Sequence, residues 1–307
     1  MSAAPLTATA APAGGRAEES ADRVRSPAQA RLLVCGVVRD GARRMNRDLD
    51  ALARATAGFG EVHWRIVESD SSDDTPALLA QRREHTPNFD FVCLGRLRDR
   101  HPLRTDRIAQ ARNACLGLLE TDARLAGITH VMVADLDGVC AALTPAALAH
   151  CFTLDEPWDM VAANQGDFYY DLWALRHPLW CPGDVWVEKR ALEPLVGPIQ
   201  ADQLAVLARM LHLAPSLPPI EVDSAFGGLA LYRREALQGA RYEGLTPEGD
   251  EVCEHVALHL AMRRAGRRLY VVPALINAHK TRHGGRHALL RTLRRQVWAW
   301  LRGKAWR

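Results

Sequence analysis

Two aspartates separated by one leucine, Asp135 and Asp137, follow a continuous hydrophobic run at 131–134. Such a run is typical of a buried strand whose last residues emerge at the carboxyl edge of a sheet. Side chains two positions apart on a strand point the same way, so the two carboxylates can share one site. They repel each other unless a cation or a proton lies between them. The pair therefore indicates a divalent metal site or covalent phosphate chemistry, with an acidic turn as the structural alternative.

Metal chemistry is the first of these interpretations. A sugar that leaves a nucleoside diphosphate builds negative charge on the β-phosphate, which a divalent cation stabilises without proton transfer. Mg²⁺ and Mn²⁺ take oxygen ligands, and Mn²⁺ also accepts imidazole. His279 follows a short predicted strand late in the chain. It is the candidate imidazole ligand beside the two carboxylates, and a purely structural histidine is the alternative.

Aspartyl-phosphate chemistry is the second interpretation. The segment from Asp135 to Val139 resembles motif one of the haloacid-dehalogenase-like phosphatases. That likeness implies Asp135 as nucleophile and Asp137 as general acid/base. However, the motif usually opens the phosphatase fold, whereas a whole βαβ region precedes it here. The phosphatase fold also needs a lysine, for which only Lys189 is suitable, and a later acidic pair that this sequence lacks.

The elements around the aspartate pair predict an α/β fold. Alternation of strands with helices favours a mostly parallel central sheet flanked by helices. A late helix is predicted to end at Gly266, since glycine is the usual residue just after a helix. The predicted strands are 31–39, 62–68, 89–94, 131–135, 268–273 and 276–279, and the predicted helices are 43–57, one starting at Pro76, 107–120 and 253–265.

Composition narrows the class of protein. With 307 residues and 48% hydrophobic content, the chain can bury a sizeable core. A net charge of +3 is too weak to imply a nucleic-acid partner. The seven cysteines show no C-x-x-C spacing, which indicates reduced thiols. Because no apolar run is long enough to cross a bilayer and no signal-peptide core is present, we expect a cytoplasmic protein.

The two ends of the chain differ from its middle. Residues 1–29 are rich in Ala, Pro, Gly, Ser and Glu, which predicts a disordered leader before a domain at 30–283. The segment 284–307 predicts a basic amphipathic helix. Over 286–307 such a helix can lie on the cytoplasmic face of an anionic membrane or pack on the domain. The apolar face comprises Leu290, Leu293, Val297, Trp300 and Leu301.

Six segments together carry a family resemblance. They are an acidic loop at 68–75, an arginine–asparagine helix at 107–113, the aspartate pair, Phe226-Gly227-Gly228, a helix start at 253–255 and a closing strand at 273–279. In this order they resemble the GT-A glycosyltransferases over about 31–282, most of all the fungal capsule-associated α-mannosyltransferases and the related Golgi mannan polymerase subunits. The resemblance implies a GT-A fold. It also implies metal-dependent transfer of a hexosyl group, mannosyl in those families, from a nucleotide-diphosphate sugar to a saccharide or lipid-linked acceptor.

The resemblance also implies residue roles. For the arginines and for Asp70, a solvated helix face and a helix-capping turn are the structural alternatives. Glu254 is a candidate for the carboxylate that receives the acceptor's proton or simply binds the acceptor hydroxyl, and Asp223 competes for this role. In a retaining enzyme the leaving phosphate can take the proton. The helix start departs from the family pattern, because His255 stands where many relatives carry a second acid. The implied nucleotide-sugar ligands are Asp70, Arg107, Arg112, Asn113, Asp135, Gly227 and Gly228, and the implied metal ligands are Asp135, Asp137 and His279.

An aromatic-rich segment, 158–190, suits an acceptor groove because sugar faces stack on tryptophan. The alternative is a core of large side chains. A catalytically inactive sugar-binding subunit with the same fold also remains open as the non-enzymatic interpretation. The candidates in this segment are Asp167, Tyr169, Asp171, Trp173 and Asp184.

Overall fold

A computed structural model describes residues 24–280 of the chain. The predicted leader therefore lies outside the described residues except for 24–29, which include a short 3-10 turn at Pro27–Gln29. The predicted amphipathic helix lies wholly outside them. The strands are β1 (Arg31–Val38), β2 (Glu61–Glu68), β3 (Phe89–Cys93), β4 (His130–Asp135), β5 (Met160–Gln165), β6 (Ile220–Val222), β7 (Leu229–Arg233) and β8 (Leu269–Ala278). The helices are α1 (Met45–Ala55), α2 (Thr75–His85), α3 (Arg104–Thr121), α4 (Pro145–Cys151), α5 (Val185–Ala205) and α6 (Glu254–Arg264).

All eight strands form one sheet in the order β3-β2-β1-β4-β7-β5-β8-β6. Strands β1 to β4 pair in parallel, and β5 pairs in parallel with β8. Strand β7 runs antiparallel between β4 and β5, and β6 runs antiparallel at the edge. Since six strands share one direction, the predicted α/β class with a mostly parallel central sheet is confirmed.

Both faces of the sheet are buried, which explains the continuous hydrophobic runs of its strands. On β1, Leu33 contributes to the core under α3 and α6, and Leu32 contributes to the core under α1 and α4. One correction concerns the end of the sheet, where two short strands were predicted and the structure has the single strand β8. Its pairing with β5 shifts register, and the Asn164 side chain donates to the Pro273 carbonyl oxygen at 3.0 Å, so the strand passes the proline without ending.

The carboxyl ends of β1, β2 and β4 meet at one edge of the sheet. Val37 on β1 pairs with Asp135 on β4, and Val38 pairs with Glu68 on β2. Antiparallel β7 begins at this edge, where the Asp135 N–H donates to the Gly228 carbonyl oxygen at 2.9 Å. Loops that are distant in sequence therefore converge there, as is usual for ligand sites in open α/β sheets. Within 24–280, no helix is both long and apolar enough to cross a membrane.

Candidate active site

A cavity of about 320 Å³ opens at this carboxyl edge of the sheet. It brings together most of the residues that the sequence nominated. A larger groove of about 720 Å³ lies beside Glu61 and His63, near the start of β2, and contains none of them. The polar and aromatic residues that line the carboxyl-edge cavity are Asp70, Arg107, Arg112, Asp135, Asp137, Asp171, Trp173, Phe226, Glu254 and His255.

Arg112 links three elements at the centre of this cavity. From α3, its Nη2 donates to Asp135 Oδ1 at 2.9 Å and its Nε donates to Glu254 Oε1 at 3.0 Å. The guanidinium also lies 4.9 Å from the Phe226 ring centre and 5.8 Å from that of Tyr242. Burial alone would lower the pKa of Arg112, but the two carboxylates outweigh it and raise that pKa. Arg112 is therefore a fixed buried cation, and the solvated-face alternative is wrong for it.

A third carboxylate, Asp48, adds to the negative charge around the aspartate pair. Burial, Asp135 and Asp48 together raise the pKa of Asp137 to about 6. Asp48, which no sequence motif singled out, lies fully buried on α1 and accepts N–H groups from Gly138 at 2.6 Å and Cys140 at 3.3 Å. It thereby fixes the turn that carries Asp137. Its position on the apolar face of α1 is the sequence signal that could have identified it as buried.

The side chains that line this cavity partly fit a divalent cation. Among the described residues, no group of three or more His, Cys, Asp or Glu side chains is arranged to hold a metal ion. Asp135 and Asp137 nevertheless suit a cation such as Mg²⁺, which typically binds one or two carboxylates and takes further ligands from substrate phosphates. A dication would also neutralise the repulsion that raises the pKa of Asp137. His279 is exposed at the end of β8, next to Gly166, and does not line the cavity.

Asp70 lies at the β2 side of the cavity, in the left-handed backbone region at φ 60°. Its Oδ1 accepts the Arg98 N–H at 3.1 Å and Arg98 Nε at 3.0 Å, and Arg107 Nε lies 3.8 Å from Oδ2. Burial alone would raise the pKa of Asp70, but the Arg98 hydrogen bonds outweigh it and lower that pKa. At the start of α2, Asp73 and not Asp70 accepts the Thr75 N–H, so the capping alternative is wrong for Asp70.

The two glycines do not line the cavity, but their backbones hold residues that do. Gly227 and Gly228 have φ values of 67° and 81°, which side chains rarely adopt. The Gly227 N–H donates to Asp171 Oδ2 at 3.0 Å, while the Gly228 carbonyl oxygen holds the Asp135 N–H. Two successive residues thus connect Asp171 to the strand end that carries Asp135.

Like His279, the nominated residues Asn113 and Asp223 do not line the cavity. Asn113 follows Arg112 on α3 but points elsewhere, because consecutive helical residues differ by about 100° in direction. Its side-chain amide clamps the Tyr242 backbone through bonds of 2.8 and 2.9 Å. Asp223 pairs with Arg263 Nε at 3.2 Å and is about two-fifths exposed. Of the two carboxylates nominated as catalytic, only Glu254 lines the cavity.

The aromatic-rich segment divides between cavity and core. Asp171 and Trp173 line the cavity, whereas Tyr169 is completely buried in the core. Asp184 caps α5 through the Trp186 N–H at 2.8 Å and accepts Trp173 Nε1 at 2.9 Å. Asp167 is half-buried and does not line the cavity.

His255 lines the cavity although the sequence predicted no role for it. It is 2% exposed, stacks on Phe226 with 3.8 Å between ring centres, and has no hydrogen-bond partner at either ring nitrogen. Burial, Arg112 and His259 lower its pKa well below the ordinary value, so the ring is neutral.

Comparison with known proteins gave structural likenesses only. No protein-family model matches the chain, and no curated protein matches it. The chain is similar to the solved structure of mannosyltransferase PcManGT from Pyrobaculum calidifontis in complex with GDP-Man and Mn²⁺, at TM-score 0.48 and 17% identity over 84% of this chain and 59% of that one. It is also similar to S. aureus TarS 1–349, at TM-score 0.46 and 12% identity over 86% of this chain and 63% of that one. The chain thus spans less than two thirds of these proteins' lengths.

Proposed function

We propose that this protein is a metal-dependent GT-A glycosyltransferase that moves a hexosyl group from a nucleotide-diphosphate sugar to a saccharide or lipid-linked acceptor. One observation supports this above all others. An aspartate pair, a buried arginine and an anchored glutamate converge in one cavity at the carboxyl edge of the parallel strands. Oxygen ligands for a dication therefore lie beside a fixed cation for phosphate.

Each part of the donor has a matching group in this proposal. Asp135 and Asp137 hold Mn²⁺ or Mg²⁺, which when bound neutralises charge on the departing β-phosphate. Arg112 and Arg107 face the phosphates. Asp70, held by Arg98, binds the ribose or the base. Because Arg112 is already fixed by two carboxylates, its charge needs no rearrangement as the phosphate charge develops.

Finer assignments rest on the family resemblance. It implies mannose as the transferred sugar, and a donor panel tests this. His279 stays a candidate ligand, and both the cytoplasmic location and the membrane contact of 286–307 stay predictions.

Two contacts disfavour the phosphohydrolase interpretation. Asp135 Oδ1 is bonded to Arg112, and Lys189 pairs with Glu193 on α5 and does not line the cavity.

The proposed function is tested by metal-dependent nucleotide binding. We expect calorimetry with GDP, UDP, CDP and dTDP to show one preferred nucleoside diphosphate that binds with Mn²⁺ and not in EDTA. Asp137→Ala should abolish this binding because it removes a metal ligand. The control is Asp155→Ala, since Asp155 is exposed and outside the cavity. Turnover of the matching sugar nucleotides then identifies the donor.

Three outcomes would contradict the proposal. Asp137→Ala could bind nucleotide as well as wild type does. The wild type could release phosphate from an aryl phosphate, which would indicate the phosphohydrolase. It could also bind glycans without turning over any sugar nucleotide, which would indicate the inactive subunit.

A further inference from the structure

Among residues 24–280, two carboxylates that line the cavity form no ion pair, the proposed metal ligand Asp137 and Asp171. Asp135 and Glu254 both pair with Arg112, and Asp70 pairs with Arg98. Asp171 has no cationic partner among residues 24–280. A carboxylate that lines a cavity without a counter-charge needs other hydrogen-bond donors, because burial penalises its charged form.

The Asp171 carboxylate is held in place by the backbone. It accepts the Gly227 N–H at 3.0 Å and a further N–H from Ala174. A carboxylate has about four acceptor positions, so roughly two remain for a ligand. Asp135 and Glu254 add negative charge around Asp171, so an anionic ligand is disfavoured there, whereas uncharged hydroxyl donors can fill these positions.

The position of Asp171 relative to the aspartate pair indicates which part of the donor it meets. Gly227 bonds Asp171, and the next residue, Gly228, bonds the Asp135 backbone. In the proposed function the β-phosphate lies beside Asp135 and Asp137. The group next to the β-phosphate in a sugar nucleotide is the hexose, which is neutral and rich in hydroxyl donors.

One neighbouring side chain independently fits the same ligand. Trp173 lines the cavity with its Nε1 occupied by Asp184, so its remaining surface is apolar. A sugar ring offers C–H faces to that surface.

We propose that Asp171, together with Trp173, forms the subsite for the transferred hexose, with the carboxylate accepting hydroxyl hydrogen bonds from the sugar. This inference rests on the proposed function and adds a substrate class to it. The transferred sugar is a neutral hexose, because a hexuronic acid would bring another carboxylate next to Asp171. Burial raises the pKa of Asp171 to about 7, and hydroxyl donors would favour its ionised form.

A difference measurement tests this subsite apart from the phosphate site. Calorimetry with Mn²⁺ compares a nucleoside diphosphate with its sugar nucleotide, using GDP with GDP-mannose and UDP with UDP-glucose and UDP-glucuronate. Asp171→Asn should lower sugar-nucleotide affinity about ten-fold, on the order of one hydrogen bond to a charged group, and should leave nucleoside-diphosphate affinity unchanged. Asparagine keeps an oxygen for the Gly227 N–H, so the variant is expected to fold. Asp155→Asn is the control.

Each other result overturns a distinct claim. Equal affinities in wild type and Asp171→Asn would remove Asp171 from the subsite. Equal losses for the nucleoside diphosphate and the sugar nucleotide would make Asp171 a support of the phosphate site. Wild-type preference for UDP-glucuronate over UDP-glucose would overturn the neutral-hexose class. A wild type that binds no nucleoside diphosphate with Mn²⁺ would instead overturn the proposed function, and this inference with it.

Discussion

Asp48 holds the aspartate turn in place from outside the cavity. Its carboxylate receives two backbone N–H groups from the residues that follow Asp137, and burial raises its pKa. The turn therefore takes its shape from a side chain on α1, about ninety positions earlier in the chain. A metal ligand on a short turn needs such support, because a small displacement changes the geometry around the ion.

Removing this support should weaken the site without removing a cavity residue. Asp48→Ala leaves the Gly138 and Cys140 N–H groups without a partner. We expect metal-dependent nucleotide affinity to fall about 10- to 100-fold, the range typical of groups that orient metal ligands. Calorimetry checks this, with Asp50→Ala as the control. Asp50 lies on the same helix, but it is half-exposed and pairs with Arg82 at the surface. Equal effects of the two substitutions would contradict the role of Asp48.

Sequence reasoning found the residues that belong to recognisable motifs and missed those that support them. Asp135, Asp137 and Arg112 were nominated and line one cavity. Asp48 was missed because a charged residue in an amphipathic helix is usually assigned to the solvent side. Asn113 was nominated as the neighbour of Arg112. Residues that are adjacent in a helix, however, point their side chains in different directions.

At the scale of elements, the turn before β7 connects the two halves of the cavity. Gly227 is packed so closely that an added Cβ would collide with the Ala163 carbonyl oxygen, and its φ of 67° disfavours any side chain. Its carbonyl oxygen accepts Gln165 Nε2 at 2.9 Å and Asn277 Nδ2 at 2.8 Å. The turn is therefore bonded to β5 and β8 as well as to Asp171.

Substitution at this turn should destabilise the whole fold. Gly227→Ala adds backbone strain and a steric clash, so we expect the free energy of unfolding to drop by roughly 2–5 kcal/mol. Gly239→Ala is the matched control, because Gly239 has φ 72° but nothing near its Cβ position. That substitution should cost about 1–2 kcal/mol from backbone strain alone. Urea unfolding measures both, and similar losses would argue against close packing at Gly227.

The first half of the chain was more predictable than the second. Strands β1 to β4 and helices α1 to α3 repeat one pattern, hydrophobic strand then helix, and their predicted positions agree with the structure within a few residues. In the second half the chain inserts antiparallel β7 between β4 and β5 and includes the long kinked helix α5. Pro194, Gly197 and Pro198 break the helical pattern of α5, so periodicity alone did not reveal it.

At the scale of the whole molecule, the buried carboxyl groups and the buried histidines destabilise the fold in opposite pH ranges. Burial raises the pKa of Asp137 and Asp171, which makes their ionisation near neutral pH destabilising. Burial lowers the pKa of His130 to about 4 and that of His259 to about 3. The histidines therefore destabilise the fold on the acid side, where the unfolded chain binds protons that the folded chain does not.

His130 allows the loss of stability at acid pH to be tested far from the cavity. It packs against the rings of Phe152 and Trp158, near the start of β4. The pKa of His130 is about 4 in the folded protein and 6.5 in the unfolded chain. Its contribution to the free energy of unfolding is therefore fully present above pH 6.5 and is lost as the pH falls below that value. At pH 5 this loss is about 2 kcal/mol. His130→Phe should therefore reduce the stability difference between pH 7 and pH 5 by about that amount.

Urea unfolding of wild type and variant at both pH values measures this change. Any cost of fitting phenylalanine is the same at each pH and cancels in the difference. The control is His85→Phe, because His85 is exposed at the end of α2 and should leave the pH difference unchanged. If His130→Phe also leaves it unchanged, the histidine is protonated in the folded protein at pH 5. The core around the start of β4 would then admit charge or water.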